Sequence, residues 1–381
     1  MQGIYLDNAA TSYPKAPGVS DAIADYICNV GANINRSTYS SATAAAMRTL
    51  EVREAACALF GFSHVEHVIL TPGMTYSLNQ VIKGLLRPGD HVIVGPLEHN
   101  AVMRPLMQLS DIGVTFSRMR SDANGCIDPA SAEELITAST RMMLVSHASN
   151  VCGTLAPLER LSALCSKHSI PLVLDAAQTA GHYPIDFEAL GLSALCAPGH
   201  KGLLGPQGIG LLLLNPDFAQ RLVPLVAGGT GSASDSETLP AYMPDRFESG
   251  TPNLPGIYGL YAALDYIRSR TVSALSEHEA ELTERLLSGL SSLPVRIVGT
   301  TDMHKRVGVV SVDFPTLDNA EAAFRLEREH SVLTRCGLHC SPAAHRALNT
   351  FPHGTLRFSL GYSNTARDVD IALSAISDIL S

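Results

Sequence analysis

The sequence predicts an α/β protein: a large domain with a mainly parallel central sheet flanked by helices, and a smaller C-terminal α+β domain. Three observations carry this. Short apolar runs alternate with helix-length periodic segments up to about residue 215, the pattern of strands joined through crossover helices. A stretch rich in Gly, Ser and Pro, from Gly228 to Pro255, breaks the alternation. A long helical segment then leads into a second, shorter alternation. A chain of 381 residues is long enough for two cores.

Apolar spacing of three and four places helices at about 16–28, 43–60, 75–86 and 98–110. Strands fall near 67–71, 90–95, 113–118 and 141–147. A helix near 157–168 leads to strands near 171–175, 193–197 and 208–214. The unperiodic stretch has the length of a lid, a binding loop or an exchanged interface segment. A helix from about Leu254 to Arg268 follows, then a helical 275–290 and strands near 294–298, 306–314, 331–336 and 355–360, with helices between and after. Residues 15–255 read as the large domain and 256–381 as the small one, joined by 1–14.

Charged residues are 17% of the chain, below the usual share of about 25%. A large buried surface, in a core or a dimer interface, accounts for the deficit. A net charge of −9 and no run of Lys and Arg argue against a nucleic-acid partner. The longest apolar runs are too short to span a bilayer. Eight scattered cysteines and no signal-like start imply a reducing, cytoplasmic setting.

Chemistry enters at SALCAPGHKGLLGPQGIGLLLLN, residues 193–215. Lys201 sits in a tight, mostly uncharged turn between two apolar strands. It is a surface turn residue, or a desolvated lysine able to bond covalently to a carbonyl cofactor. Upstream, VLDAAQTAG ends a strand in Asp175, where open α/β sheets bind ligands. Asp175 is an ordinary helix cap, or the partner of a protonated pyridine nitrogen. Ala177 is small enough to lie flat on a ring, and Gln178 can bond a phenolic oxygen. Earlier still, VILTPGMT stops a strand at Thr71 before a helix. Thr71, Gly73, Met74 and Thr75 form a candidate phosphate cup, since N–H groups at a helix start bind phosphate without a basic side chain.

These elements, in this order, resemble the class V aminotransferase family, fold type I and pyridoxal-phosphate dependent, and within it the cysteine desulfurase and selenocysteine lyase group. The resemblance runs from YLDNAAT at 5–11 to LRFSLGYSNTARDVD at 356–370, through EHNAV, SHASNVCG, DAAQ, GHKG, FESGTPN and RCGLHC. It implies pyridoxal 5'-phosphate carried on Lys201, a ring stacked on His99, ring-oxygen contacts from Asn150 and Gln178, and phosphate contacts from His200. It implies that Thr251 reaches the cofactor of a partner subunit, hence a homodimer. Pro198 departs from a common Ser or Thr, removing a hydroxyl and an N–H donor near the phosphate.

The resemblance also places a nucleophile on Cys340, with Cys336 at a variable position. The family's cysteine takes sulfur from L-cysteine as a persulfide, releases alanine and passes the sulfur to a thiol or acceptor protein. Arg335, His339 and His345 are close in sequence and read as positive groups that lower a thiol pKa. Cys336, His339, Cys340 and His345 are too irregular for a zinc site. Arg357 is implied to hold the substrate α-carboxylate, or else pairs with Asp368 or Asp370. Arg36, and Asn150 again, are implied to contact substrate. The competing activities are selenocysteine lyase and another class V reaction such as transamination. The non-enzymatic alternative is a sulfur-carrier scaffold.

Overall fold

A computed structural model describes residues 3–34 and 39–381. Seven strands form the large sheet, in the spatial order Val68–Thr71, Gly210–Leu214, Ala194–Pro198, Leu172–Asp175, Thr140–Ser146, His91–Val94 and Thr115–Arg118. Only Gly210–Leu214 runs against the others; the remaining neighbours pair in parallel. Six strands therefore end at one edge of the sheet.

Alternation along the strands divides the core into two layers. Leu195 and Ala197 face one layer with Met143, Val145, Leu172, Leu174, Leu211 and Leu213. Ala194 and Cys196 face the other with Met142, Leu144, Val173, Leu212 and Leu214. Strands buried on both faces read as continuous apolar runs, which is why LVLD and GLLLL lack a polar face. The helices Ser40–Phe60, Leu158–Lys167 and Leu254–Arg270 cover the first face. Met74–Leu85 and Asn100–Ser110 cover the second.

The helix expected at 16–28 is shorter: Val19–Asp25 runs into a π-helical turn at Tyr26–Val30. The helix expected from 98 starts at Asn100, because His99 is extended and caps it. Two short helices, Pro129–Glu134 and Pro216–Arg221, escape periodicity because each is barely more than a turn.

The small layer is an antiparallel sheet in the order Arg335–Gly337, Thr355–Ser359, Val309–Asp313 and Arg296–Val298. Leu282, Leu286, Val310, Phe358, Ala372 and Ile376 pack its core. Leu254–Arg270 packs against Val19–Asp25 and Ser40–Phe60 in the large layer. A positive φ at Thr271 separates this helix from Val272–Leu290, whose Leu275 still packs in the large layer while Leu282 and Leu286 belong to the small core. The N-terminal segment joins both layers. Ile4–Tyr5 pairs with Val332–Leu333, and Leu6 lies in the small core.

His182 and Glu279 bridge the two layers at 3.0 Å. Burial alone would lower the His182 pKa, but the Glu279 carboxylate outweighs it and the net shift is upward. A raised folded pKa means the pair stabilises fully below the unfolded value of 6.5 and loses that contribution as pH rises through the folded value. The difference in unfolding midpoint between the wild type and His182→Gln is therefore expected to shrink as pH rises above 6.5 and through the raised folded value. A constant difference across that range would exclude a charged bridge.

Candidate active site

The ends of the parallel strands gather the site. Beyond Ala194–Pro198 the chain turns through Gly199, His200 and Lys201. Gly202 locks this turn. A Cβ there would lie 2.4 Å from the Ala180 carbonyl oxygen, so only glycine allows the contact. Pro198 closes its strand opposite Gly210. Burial lowers the Lys201 ammonium to about 8, with Asp175 opposing and Arg357 and Arg335 adding to the fall. A lysine in that range is partly neutral near physiological pH and competent as a nucleophile or base.

Asp175 ends its own strand and is buried. One carboxylate oxygen accepts the Ala177 N–H at 2.9 Å. Burial raises its pKa against the pull of that N–H, of Lys201 and of Ser146. Gln178 lines the same cavity as Ala177 and Lys201 and donates to the Ala9 carbonyl at 3.2 Å.

Beyond the neighbouring strand lies Glu98, 1% exposed, which accepts from the Ser146 N–H at 2.9 Å and hydroxyl at 2.7 Å. Burial pushes Glu98 up to about 7; the Ser146 N–H pulls it down and Asp175 pushes it further up. His99 follows. Its Nδ1 accepts the Ala101 N–H at 2.9 Å, capping the helix. Burial first, then the charges of Lys201 and three arginines, hold this imidazole down to about 4. A neutral ring that accepts at Nδ1 carries its proton on Nε2.

Gly73, Met74, Thr75 and His200 line one cleft at the start of Met74–Leu85. Gly73 has φ +143° with open space above its Cα. The position favours glycine and leaves the first N–H groups of a long helix approachable. Thr71 sits beneath, its hydroxyl 2.8 Å from that of Ser77. His200 Nδ1 lies 3.1 Å from the Thr11 hydroxyl. Burial and the charges of Lys201 and Lys15 hold His200 down to about 4. Thr251 is exposed and lines the adjoining groove with Thr71 and Tyr76, away from the Lys201 cavity. Its loop is anchored by Glu248, which holds buried Arg53 through two bonds of 2.8 and 2.7 Å.

Cys340 is exposed on the turn between Arg335–Gly337 and Pro342–Ala347. His339 and Cys340 both have positive φ, 47° and 58°. Successive left-handed residues cost about 1–3 kcal/mol each and persist only where neighbours hold them. The holders are visible. Asn150 Nδ2 donates to the His339 carbonyl at 2.7 Å and its Oδ1 accepts from Ser341 at 2.7 Å. The Asn100 N–H donates to the Cys340 carbonyl at 2.8 Å. The Asn150 amide, expected at the ring oxygen and substrate, is thus engaged at both ends by the Cys340 turn. The positive surroundings expected from His339 and His345 are absent. Both are buried, and burial holds them down to about 2 and about 4. Arg335 is the remaining cation of that trio. Cys336 lies on the strand, and burial raises its thiol pKa.

Arg357 is 1% exposed, and burial lowers its pKa against the opposing charge of Asp7. It donates to Asp7 at 2.6 Å and to the Asn150 carbonyl at 2.9 Å, while its buried Nε has no partner. Asp368 and Asp370, the partners weighed from sequence, cap a helix and pair with Arg285. Arg36 lies outside the described residues. Among the described residues no cluster could hold a metal ion, and no helix is long and apolar enough to cross a membrane.

Sequence reasoning assigned no role to Glu98, Asp7 or Glu248. Glu98 had a signal, a lone carboxylate in an apolar run just after a strand. Asp7 and Glu248 had none, because their partners lie far along the chain.

The family model for aminotransferase class-V matches residues 4–372. A probable cysteine desulfurase of Methanothermobacter thermautotrophicus is 31% identical over 382 residues, covering 99% of this chain and 94% of that protein. One from Pyrococcus abyssi is 32% identical over 385 residues, with the same coverage. The solved apo structure of cysteine desulfurase from Thermococcus onnurineus superposes with a TM-score of 0.93 at 30% identity, covering 99% of this chain and 94% of that one.

Proposed function

Since the chain belongs to the aminotransferase class-V family, we propose that it is a pyridoxal-phosphate-dependent cysteine desulfurase, converting L-cysteine to L-alanine and carrying the sulfur as a persulfide on Cys340. The single observation that carries the reading is the joining of the two reactive groups. Asn150 clamps the Cys340 turn while its carbonyl anchors Arg357, and Arg357 shares its surroundings with Lys201.

The residues present fit the cofactor. A desolvated lysine faces a buried carboxylate, and an open glycine at a helix start meets a neutral histidine. Lys201 would hold it covalently, Asp175 would face the pyridine nitrogen, and Gly73, Met74, Thr75 and His200 would receive the phosphate. When bound, pyridoxal phosphate supplies an electron sink for the substrate's Cα. Arg357 would bind the α-carboxylate through its unpartnered Nε and the edge shared with Asp7. Lys201 Nζ would take the Cα proton. The Cys340 thiolate would attack the substrate sulfur, and the breaking C–S bond would leave its electron pair with the carbon that becomes the methyl of alanine.

The test is a parallel product assay with cysteine, selenocysteine and cysteine sulfinate. Alanine and enzyme-bound sulfur from cysteine in equal amounts support the reading. Turnover of selenocysteine alone would favour a lyase, and alanine from none of them would favour the carrier scaffold.

We also propose a homodimer. Thr251 is exposed in the single chain at the end of an anchored loop, as a group serving a partner's site would be. Light scattering is expected to give twice the chain mass, and dilution into monomer should remove activity. A fully active monomer would exclude shared sites.

A further inference from the structure

Four arginines lie on the elements packed about the Cys340 turn, and the carboxylate whose charge reaches one of them, Glu98 near Arg118, is buried. Arg118 ends the strand Thr115–Arg118, opposite Val94, from which the chain leads to Glu98 and His99. Arg104 lies on the helix that begins at Asn100, whose N–H holds the Cys340 carbonyl. Arg335 lies on the strand before the turn and Arg346 on the helix after it. Leu97, Ala344 and Leu348 share one apolar cluster, which brings the Glu98 loop against the Arg346 helix. None of the four arginines takes part in an ion pair among the described residues.

This is unusual for a chain of net charge −9. Arg118, Arg104 and Arg346 are exposed, and Arg118 and Arg346 are close enough to repel one another. Each of these two is also held in place by an aromatic ring. The Arg346 guanidinium lies 4.4 Å from the Phe351 centroid, and that of Arg118 lies 5.0 Å from Phe116. Stacking fixes the charges in advance of any partner, which reduces the ordering cost of binding. Like charges left together at a surface, unpaired and preordered, are a binding face for the opposite sign.

We propose that this arginine rim docks a sulfur-acceptor protein whose thiol lies in an acidic surface. The inference rests on the reading of Cys340 as the sulfur carrier. In the transfer, the acceptor thiolate attacks the outer sulfur of the Cys340 persulfide. The S–S bond breaks, its electron pair returns to Cys340 Sγ as thiolate, and the acceptor leaves as the persulfide. No further oxidant or reductant enters.

The test uses the cofactor-loaded enzyme, charged with cysteine, and three capped tripeptide thiols: Glu-Cys-Glu, Ser-Cys-Ser and Lys-Cys-Lys. Second-order transfer rates are divided by each peptide's thiolate fraction, since flanking charges shift thiol pKa. At low ionic strength the acidic peptide is expected to react about tenfold faster than the basic one, with the gap closing in about 1 M salt. The double variant Arg118→Ala/Arg346→Ala should bring the two within about twofold, because steering charge is removed. Its alanine formation with dithiothreitol as acceptor should match the wild type. Equal rates, a faster basic peptide, or a preference that survives the double variant would overturn the docking face while leaving the desulfurase reading intact. Mass analysis showing no sulfur on Cys340 after cysteine addition would overturn both.

Discussion

Cys340→Ala is expected to keep the cofactor's absorbance and lose at least a hundredfold in cysteine turnover, about 2.7 kcal/mol of transition-state stabilisation. The thiol is exposed and its backbone is held from both sides, so removing Sγ leaves the turn's hydrogen bonds in place. The loss should therefore be chemical. Alkylation after cysteine addition, followed by peptide mapping, should find the extra sulfur on Cys340 in the wild type and nowhere in the variant. Cys336→Ala should be mild, since that thiol is on a strand and its pKa is raised by burial. Sulfur on Cys336 alone would reverse the roles. Undiminished turnover in Cys340→Ala would point to another class V reaction.

Lys201→Ala is expected to lose covalent cofactor attachment and at least a thousandfold in rate, since one group would hold the cofactor and move the Cα proton. Borohydride reduction of the wild type should mark Lys201 in a peptide map and mark nothing in the variant. A modified lysine elsewhere would refute the assignment. The apo enzyme gives a second readout. With Lys201 near 8, its neutral fraction grows as pH rises through that value. The rate of cofactor uptake should climb over the same range and level off above it. A flat profile would show that the Lys201 amine does not limit attachment.

The layered fold was legible because burial on both faces writes itself into the strands as continuous apolar runs. Lys201 and Asp175 were legible for a related reason. Each follows such a run directly, and a polar residue at the end of a parallel strand has a known address. Burial itself was not legible. His339 and His345 look like cations beside a cysteine until packing shows both sealed from water. Asn150 was read as a ligand contact, yet its amide bonds the His339 carbonyl and the Ser341 hydroxyl on either side of Cys340, in a turn whose strained backbone no local pattern announces. Arg357 had two nearby aspartates in sequence and chose a third at the opposite end of the chain. The arginine rim is assembled from a strand end, a helix, a second strand and a turn helix, so no run of basic residues betrays it.

The N-terminal segment has a consequence for how the protein is made. Asp7 meets Arg357 across 350 residues, Asn8 bonds the Ser359 carbonyl, and Thr11 reaches His200. During synthesis the first of these residues leave the ribosome long before their partners exist. The large layer can fold while Asp7 and Asn8 wait for their partners at 357 and 359, and the end of the cleft that holds Arg357 closes only after the strand Thr355–Ser359 emerges. Contacts of such sequence separation form late and slowly. A nascent chain stalled before that strand would hold a finished lysine turn and an open cleft, so the order of assembly keeps the chemistry silent until translation is nearly complete.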